Sequence, residues 1–186
     1  MPTPVGHTLT ALALRAASRE LAWGMAADPF LWLAVLAANA PDFDFLPGLL
    51  LGNEGLYHRG AGHSLGGAFI FSAAVLAVVM ALTRSWRKAL PATLLASALF
   101  ISHLILDLAG RDPSPPHGIQ FFWPFSDSYT FWDRHLFPNL ERRPFDWSVA
   151  SRAVPVAATE VLLLVPVLLA ARIWRRRRRS GGAASS

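Results

Sequence analysis

Two stretches of this chain, Gly66 to Leu82 and Ala89 to Leu106, contain no charged side chain. Each approaches the roughly 20 apolar residues that a helix needs to cross bilayer hydrocarbon, where backbone N–H and C=O groups must be paired within the segment. A third run, Val154 to Trp174, is interrupted only by Glu160 and Arg172. Composition agrees with a bilayer environment, since 53% of residues are hydrophobic and 16% charged, too apolar a balance for an ordinary soluble domain. The first forty residues, with "HTLTALALRAASRELAWG" and "PFLWLAVLAANAP", are apolar but short or charge-bearing, which predicts a hairpin of partly embedded helices. The expected fold is therefore an all-α integral membrane bundle of about three long transmembrane helices with that hairpin at its N-terminus.

Residues 1–174 read as a single membrane-embedded domain with no internal repeat, and 175–186 as a basic tail, disordered beyond its arginines. The first dozen residues hold no Lys or Arg, which argues against a signal peptide. Short basic segments stay on the cytoplasmic side of a membrane. Arg84, Arg87 and Lys88 lie between the runs at 66–82 and 89–106, and Arg172 and Arg175 to Arg179 end the last run. Both clusters are cytoplasmic if two crossings separate them. This topology puts the loop at 111–153 outside and leaves the C-terminus in the cytoplasm. The net charge of +5 is then mostly an orientation signal, with no groove-reading fold to suggest nucleic acid.

The ionisable residues gather on that topology. His103 and Asp107, four apart, share one helix face at the outer end of their segment. His58 and His63 precede the outer end of the neighbouring helix. Asp42 and Asp44 sit where the second hairpin arm emerges, and His7 heads the first arm. Taken singly, each is an ordinary capping or interfacial residue, and Asp42 after Pro41 is well placed to start a turn. As a set at one membrane level they point to a functional site, because charged and imidazole groups at membrane depth are costly unless they face a bundle interior. His117 and His135, in the long loop, carry no such signal, and Glu160 fits either a bundle-facing or an interfacial place.

The chain has no cysteine, so any metal must take imidazole and carboxylate ligands, which suit a divalent ion, Zn²⁺ or Mn²⁺ first and Fe next. Seven candidate ligands exceed the three or four of one catalytic zinc, so one or two ions are expected. Asp42 and Asp44, two apart in what reads as an extended stretch, are expected to share a face, with one of them bridging. No Cys nucleophile exists, and Ser64 and Ser102 read as helix-terminal groups or as orienting partners beside the candidate ligands.

The motifs "PDFD", "HRGAGHSL", "SHLILDLAG" and "FFWPFS", in that order after an early His, resemble the YdjM-type membrane-bound metal-dependent hydrolases, LexA-regulated inner-membrane proteins. The resemblance covers roughly His7 to Ser126. It implies that His7, Asp42, Asp44, His58, His63, His103 and Asp107 form the metal site. One departure is Gly62, where the family pattern has Thr.

The function expected is hydrolysis of a phosphoester or lipid-like substrate by metal-activated water at the non-cytoplasmic face. Asp44 is expected in the catalytic machinery, with Arg59 and Arg111 placed to hold an anionic oxygen; Ser126 and Asp127 are weaker candidates for that task. The aromatic segment "GIQFFWPFSDSYTFW" belongs at headgroup level, as a simple aromatic belt or as a roof over the site, so membrane lipids are expected partners. Two rivals remain open at this point. One is a metal- or proton-coupled transporter, disfavoured by the lack of His or acidic groups along the inner half; the other is a scaffold whose metal only joins helices.

Overall fold

The computed structural model describes residues 2–17, 27–53, 57–110, 117–133, 135–138 and 147–183. Among the described residues six α-helices follow one another: α1 (Pro4–Ala17), α2 (Ala27–Asn39), α3 (Phe45–Leu50), α4 (Leu65–Thr83), α5 (Trp86–Leu108) and α6 (Trp147–Ala183). Short 3₁₀ turns at Pro41–Asp44 and Ala61–His63 precede α3 and α4. Among the described residues there is no β-strand beyond two isolated bridges.

Among the described residues three spans are long and apolar enough to cross a membrane: Leu65–Thr83, Trp86–Leu108 and Ser151–Trp174. They contain the three runs read from the sequence. The N-terminal pair differs in shape from a simple hairpin. Its second arm, Leu31–Asn39, continues into Pro41–Leu50 after a bend of 51°. Ala40, between α2 and Pro41, keeps α-helical backbone, but Pro41 brings no N–H to continue the α2 hydrogen bonds and its ring crowds the preceding turn. The last helix, α6, continues through the arginine run to Ala183. Arginine is a good helix former, and no Gly or Pro interrupts the run before Gly181.

The bundle is centred on α5, which packs against α4, α2 and α1, while α1 lies along α6. Its main core is built largely of small residues, with Ala11, Ala34, Ala37, Ala38, Ala89, Ala92 and Ala96 all buried. Small side chains let helix axes approach closely where lipid removes the hydrophobic drive for association. Ser72 and Ser97 add a hydrogen bond between α4 and α5 at 2.7 Å. The outer faces are apolar and exposed, as Phe69 and Leu82 of α4 illustrate.

Two devices fix the ends of helices that carry the candidate site. Ser64 is the N-cap of α4: its hydroxyl oxygen accepts from the Gly67 N–H at 2.9 Å, one of the amides a helix start leaves unpaired. The two preceding amides donate to the loop at 117–133, Leu65 to the Phe121 carbonyl and Gly66 to that of Trp123. A Cβ on Gly66 would lie 2.6 Å from the Trp123 ring, so only glycine admits this contact. At the N-terminus, the fully buried Glu160 of α6 accepts from the Thr3 N–H, the Thr3 hydroxyl and the Gly6 N–H. That places a carboxylate on the positive end of α1. Glu160 is thus a bundle-facing acid and not an interfacial one.

Candidate metal centre

His103 lies on the last turns of α5, fully buried, and its Nδ1 is 2.8 Å from the Ala38 carbonyl at the end of α2. A carbonyl only accepts, so Nδ1 carries the proton and Nε2 presents its lone pair. His63, equally buried, is fixed the same way, its Nδ1 donating to Asp44 Oδ2 at 2.7 Å. The two Nε2 atoms face each other at 3.3 Å. Asp107, one turn beyond His103, sets Oδ2 at 3.3 Å from each of them. Asp42 Oδ1 lies 3.6 Å from His63 Nε2 and 3.8 Å from His103 Nε2.

These separations decide what the cluster suits. Ligand bonds of about 2.0–2.1 Å in a tetrahedral site put neighbouring ligand atoms about 3.3–3.4 Å apart. The two Nε2 atoms and Asp107 Oδ2 match that edge, and Asp42 Oδ1 lies slightly outside it. Both Asp107 oxygens and Asp42 Oδ1 are buried and, among the described residues, accept no hydrogen bond. A buried polar atom left so costs about 1–3 kcal/mol. Unpaired oxygens aimed at two imidazole lone pairs fit a divalent cation.

His7, on the first turn of α1, completes the group. Its ring stacks on His103 with centroids 3.7 Å apart, and its Nε2 is 3.6 Å from Asp107 Oδ1. Both of its nitrogens are buried without a hydrogen bond among the described residues. Donor atoms of His7, His103 and Asp107 lie within 4.8 Å of one another, as do those of Asp42, His63 and His103. Since Ala38 occupies His103 Nδ1, both sets use its Nε2 and form one centre of five side chains.

Asp44 and His58 stand behind His63. His58 Nδ1 donates to Asp44 Oδ1 at 2.8 Å, and the Arg59 N–H donates to Oδ2 at 3.0 Å. A third set, Asp44, His58 and His63, also meets the 4.8 Å limit, but its shortest separations are hydrogen-bond lengths. Asp42 and Asp44 do not share a face. Pro41–Asp44 is a 3₁₀ turn and not extended chain, and with about three residues per turn, positions two apart point to different sides. The two carboxylates therefore reach opposite ends of the His63 ring, Asp44 at Nδ1 and Asp42 toward Nε2.

The His63 position supports this arrangement electrostatically. Burial alone would lower its pKa, but the carboxylates of Asp107, Asp42 and Asp44 outweigh that and hold it well above the usual histidine value. Without a cation, a proton on His63 offsets part of their charge.

Gly62 lets Asp44 come this close. A Cβ there would lie 2.6 Å from Asp44 Cβ, so a threonine at this position would displace the carboxylate. Arg59 takes a left-handed backbone with φ 71°, which turns its amide onto Asp44. Arg111 lies outside the described residues. Ser64 is engaged at both ends, donating to the Ala61 carbonyl and accepting from Gly67, as its reading as a helix-terminal group anticipates. Sequence reasoning misses Ala38, whose carbonyl fixes the His103 tautomer, because a backbone acceptor 65 positions away leaves no local signal. Asp44 also lines a cleft of about 530 Å³ with Tyr57, Gln120 and Tyr129; Gln120 and Tyr129 belong to the aromatic segment read as a possible roof over the site, whereas Tyr57 carries no signal in the sequence.

No curated protein and no solved structure matches the chain. The family model of the YdjM inner membrane protein matches residues 1–184. With transmembrane helices, an all-helical fold and the ordered His and Asp motifs now in one bundle, the chain belongs to the YdjM inner membrane protein family.

Proposed function

We propose that this protein is a membrane-bound metal-dependent hydrolase acting on a phosphoester of a lipid-like substrate at the non-cytoplasmic face. The observation that carries this reading is the meeting of His63 Nε2, His103 Nε2 and Asp107 Oδ2 at mutual distances of 3.3 Å, with Asp42 and His7 beside them. These five side chains would hold the ion. A divalent cation bound there supplies a Lewis acid for a phosphoryl oxygen and acidifies water to give a nucleophile at neutral pH.

The protein's own contribution is orientation. The Ala38 carbonyl and the Asp44 carboxylate fix the tautomers of His103 and His63, as partners behind metal-binding histidines commonly do. His58 and the Arg59 amide hold Asp44 in turn. In this reading Asp44 orients His63, and the guanidinium groups of Arg59 and Arg111 hold anionic oxygens of the substrate. The basic cluster at Arg84, Arg87 and Lys88 begins α5, whereas His103 and Asp107 end it. Retention of basic segments in the cytoplasm then puts the centre outside and the C-terminus inside.

A transporter would need polar steps along the bundle, whereas the donor groups gather at one end. The test is hydrolysis of a phosphoester panel by protein loaded with Zn²⁺ or Mn²⁺, before and after chelation. Turnover that disappears on chelation and returns with metal is expected; turnover indifferent to chelation, or none with metal bound, contradicts the proposal.

A further inference from the structure

The cleft of about 530 Å³ at Asp44 has Pro47, Tyr57, Gly62, Gln120 and Tyr129 among its other walls, a size ordinary for a small-ligand site. Among the described residues its polar side chains are two phenols, an amide and one carboxylate, with no Lys or Arg. Asp44 already accepts from His58, the Arg59 amide and His63, so its charge is largely committed and does not call for an ammonium partner. Gln120 is also oriented, since its Nε2 donates to the Asp127 carbonyl at 3.2 Å, which leaves Oε1 as an acceptor. Uncharged hydroxyl groups match such a lining, donating to carbonyl-type oxygens and accepting from phenols.

The elements that form the cleft also expose apolar side chains. Pro47 belongs to α3, whose end presents Leu49, Leu50 and Leu51, with Leu50 86% exposed. Gln120 and Tyr129 belong to the loop that presents Phe122, Phe125 and Phe131, with Phe125 92% exposed. In a chain that spans the bilayer, aromatic residues of this kind settle at the interface. The opening between α3 and the loop therefore meets lipid on both sides.

We infer that this cleft binds the hydroxyl-bearing polar head of a bilayer amphiphile, whose tails remain among the apolar side chains of α3 and the aromatic loop. This names the substrate class of the site and rests on the hydrolase reading above. The head lies in the cleft, with the phosphoester on its Asp44 side, and the tails never leave the membrane. A water-soluble phosphoester of the same head lacks the part that the two rims engage.

Metal-free full-length protein in nanodiscs of phosphatidylcholine with a minor share of phosphatidylglycerol tests the cleft without turnover, the lipid retained being read by native mass spectrometry. Retention of phosphatidylglycerol above its bulk share is expected. Gln120→Ala and Tyr129→Ala should each lower that enrichment about tenfold, the worth of one hydrogen bond, with protein folding checked by circular dichroism. Glycerophosphoglycerol, the same head without tails, should not displace the lipid at equal concentration. Retention in proportion to bulk composition, enrichment unchanged in both variants, or displacement by the tail-less head would each overturn the inference. If enrichment holds but metal-loaded protein leaves phosphatidylglycerol intact, the cleft stands and the hydrolase reading falls.

Discussion

His63 and His103 turn their Nε2 atoms toward each other at 3.3 Å, with the Nδ1 atom of each already held by an acceptor. Two lone pairs so placed repel unless a proton or a cation stands between them. Asp107 and Asp42 bring further negative charge to the same point. The function of the chain follows from which cation that is.

The two kinds of carboxylate in the cluster should behave differently. Asp107→Asn removes a charged oxygen at the centre, and metal retention is expected to be lost. Asp44→Asn keeps an acceptor for His63 Nδ1 and should weaken the ion only about 10–100-fold, the usual effect of altering a group behind a ligand. Competition with a chelator of known affinity measures both; equal losses would contradict the division of roles.

Metal binding should depend on pH through His63. Its pKa in the metal-free protein is raised, so its stabilising effect is full below the ordinary histidine pKa and is lost as pH rises through the raised value. Coordination needs the neutral imidazole and must release that proton. Affinity for Zn²⁺ is therefore expected to rise with pH until the raised value is passed, with proton release visible by calorimetry in buffers of different ionisation enthalpy. Affinity that is flat across this range would show that no proton occupies the site.

Glu160 should matter for His7 although it is no ligand. Glu160→Ala strands the Thr3 and Gly6 donors at the start of α1, at about 1–3 kcal/mol for buried groups left unpaired. A lower Tm in detergent is expected, with weaker metal binding because α1 carries His7. Unchanged melting and metal content would mean that the α1 terminus is held by other contacts.

Ser64→Ala should leave hydrolysis largely intact. It removes the α4 cap, worth about 0.5–2 kcal/mol, but no group that the proposed chemistry uses. An inactive Ser64→Ala variant with full metal content would point instead to a serine nucleophile.

The sequence reveals the spans because charge-free runs have few places to go, and α4 and α5 extend only a few residues beyond the runs at 66–82 and 89–106. His103 and Asp107 are legible as a pair because helix periodicity is fixed. The different aims of Asp42 and Asp44 are not, since "PDFD" has the same residue order in extended chain and in the 3₁₀ turn it forms. Long-range backbone partners are equally hidden: nothing near Glu160 or Ala38 announces that one caps α1 and the other fixes His103. The expectation of one or two ions rests on counting ligands, and a count does not show that Asp44 already accepts three hydrogen bonds.

The most direct test is the metal content of purified full-length protein by elemental analysis, read against coordination from X-ray absorption. One divalent ion per chain is expected, bound by imidazole nitrogen and carboxylate oxygen, and absent from a His63→Ala/His103→Ala variant that remains helical. Metal-free wild-type protein after reconstitution with Zn²⁺, Mn²⁺ and Fe²⁺ in turn, or metal content unchanged in the double variant, would contradict the central claim that these side chains build a metal centre.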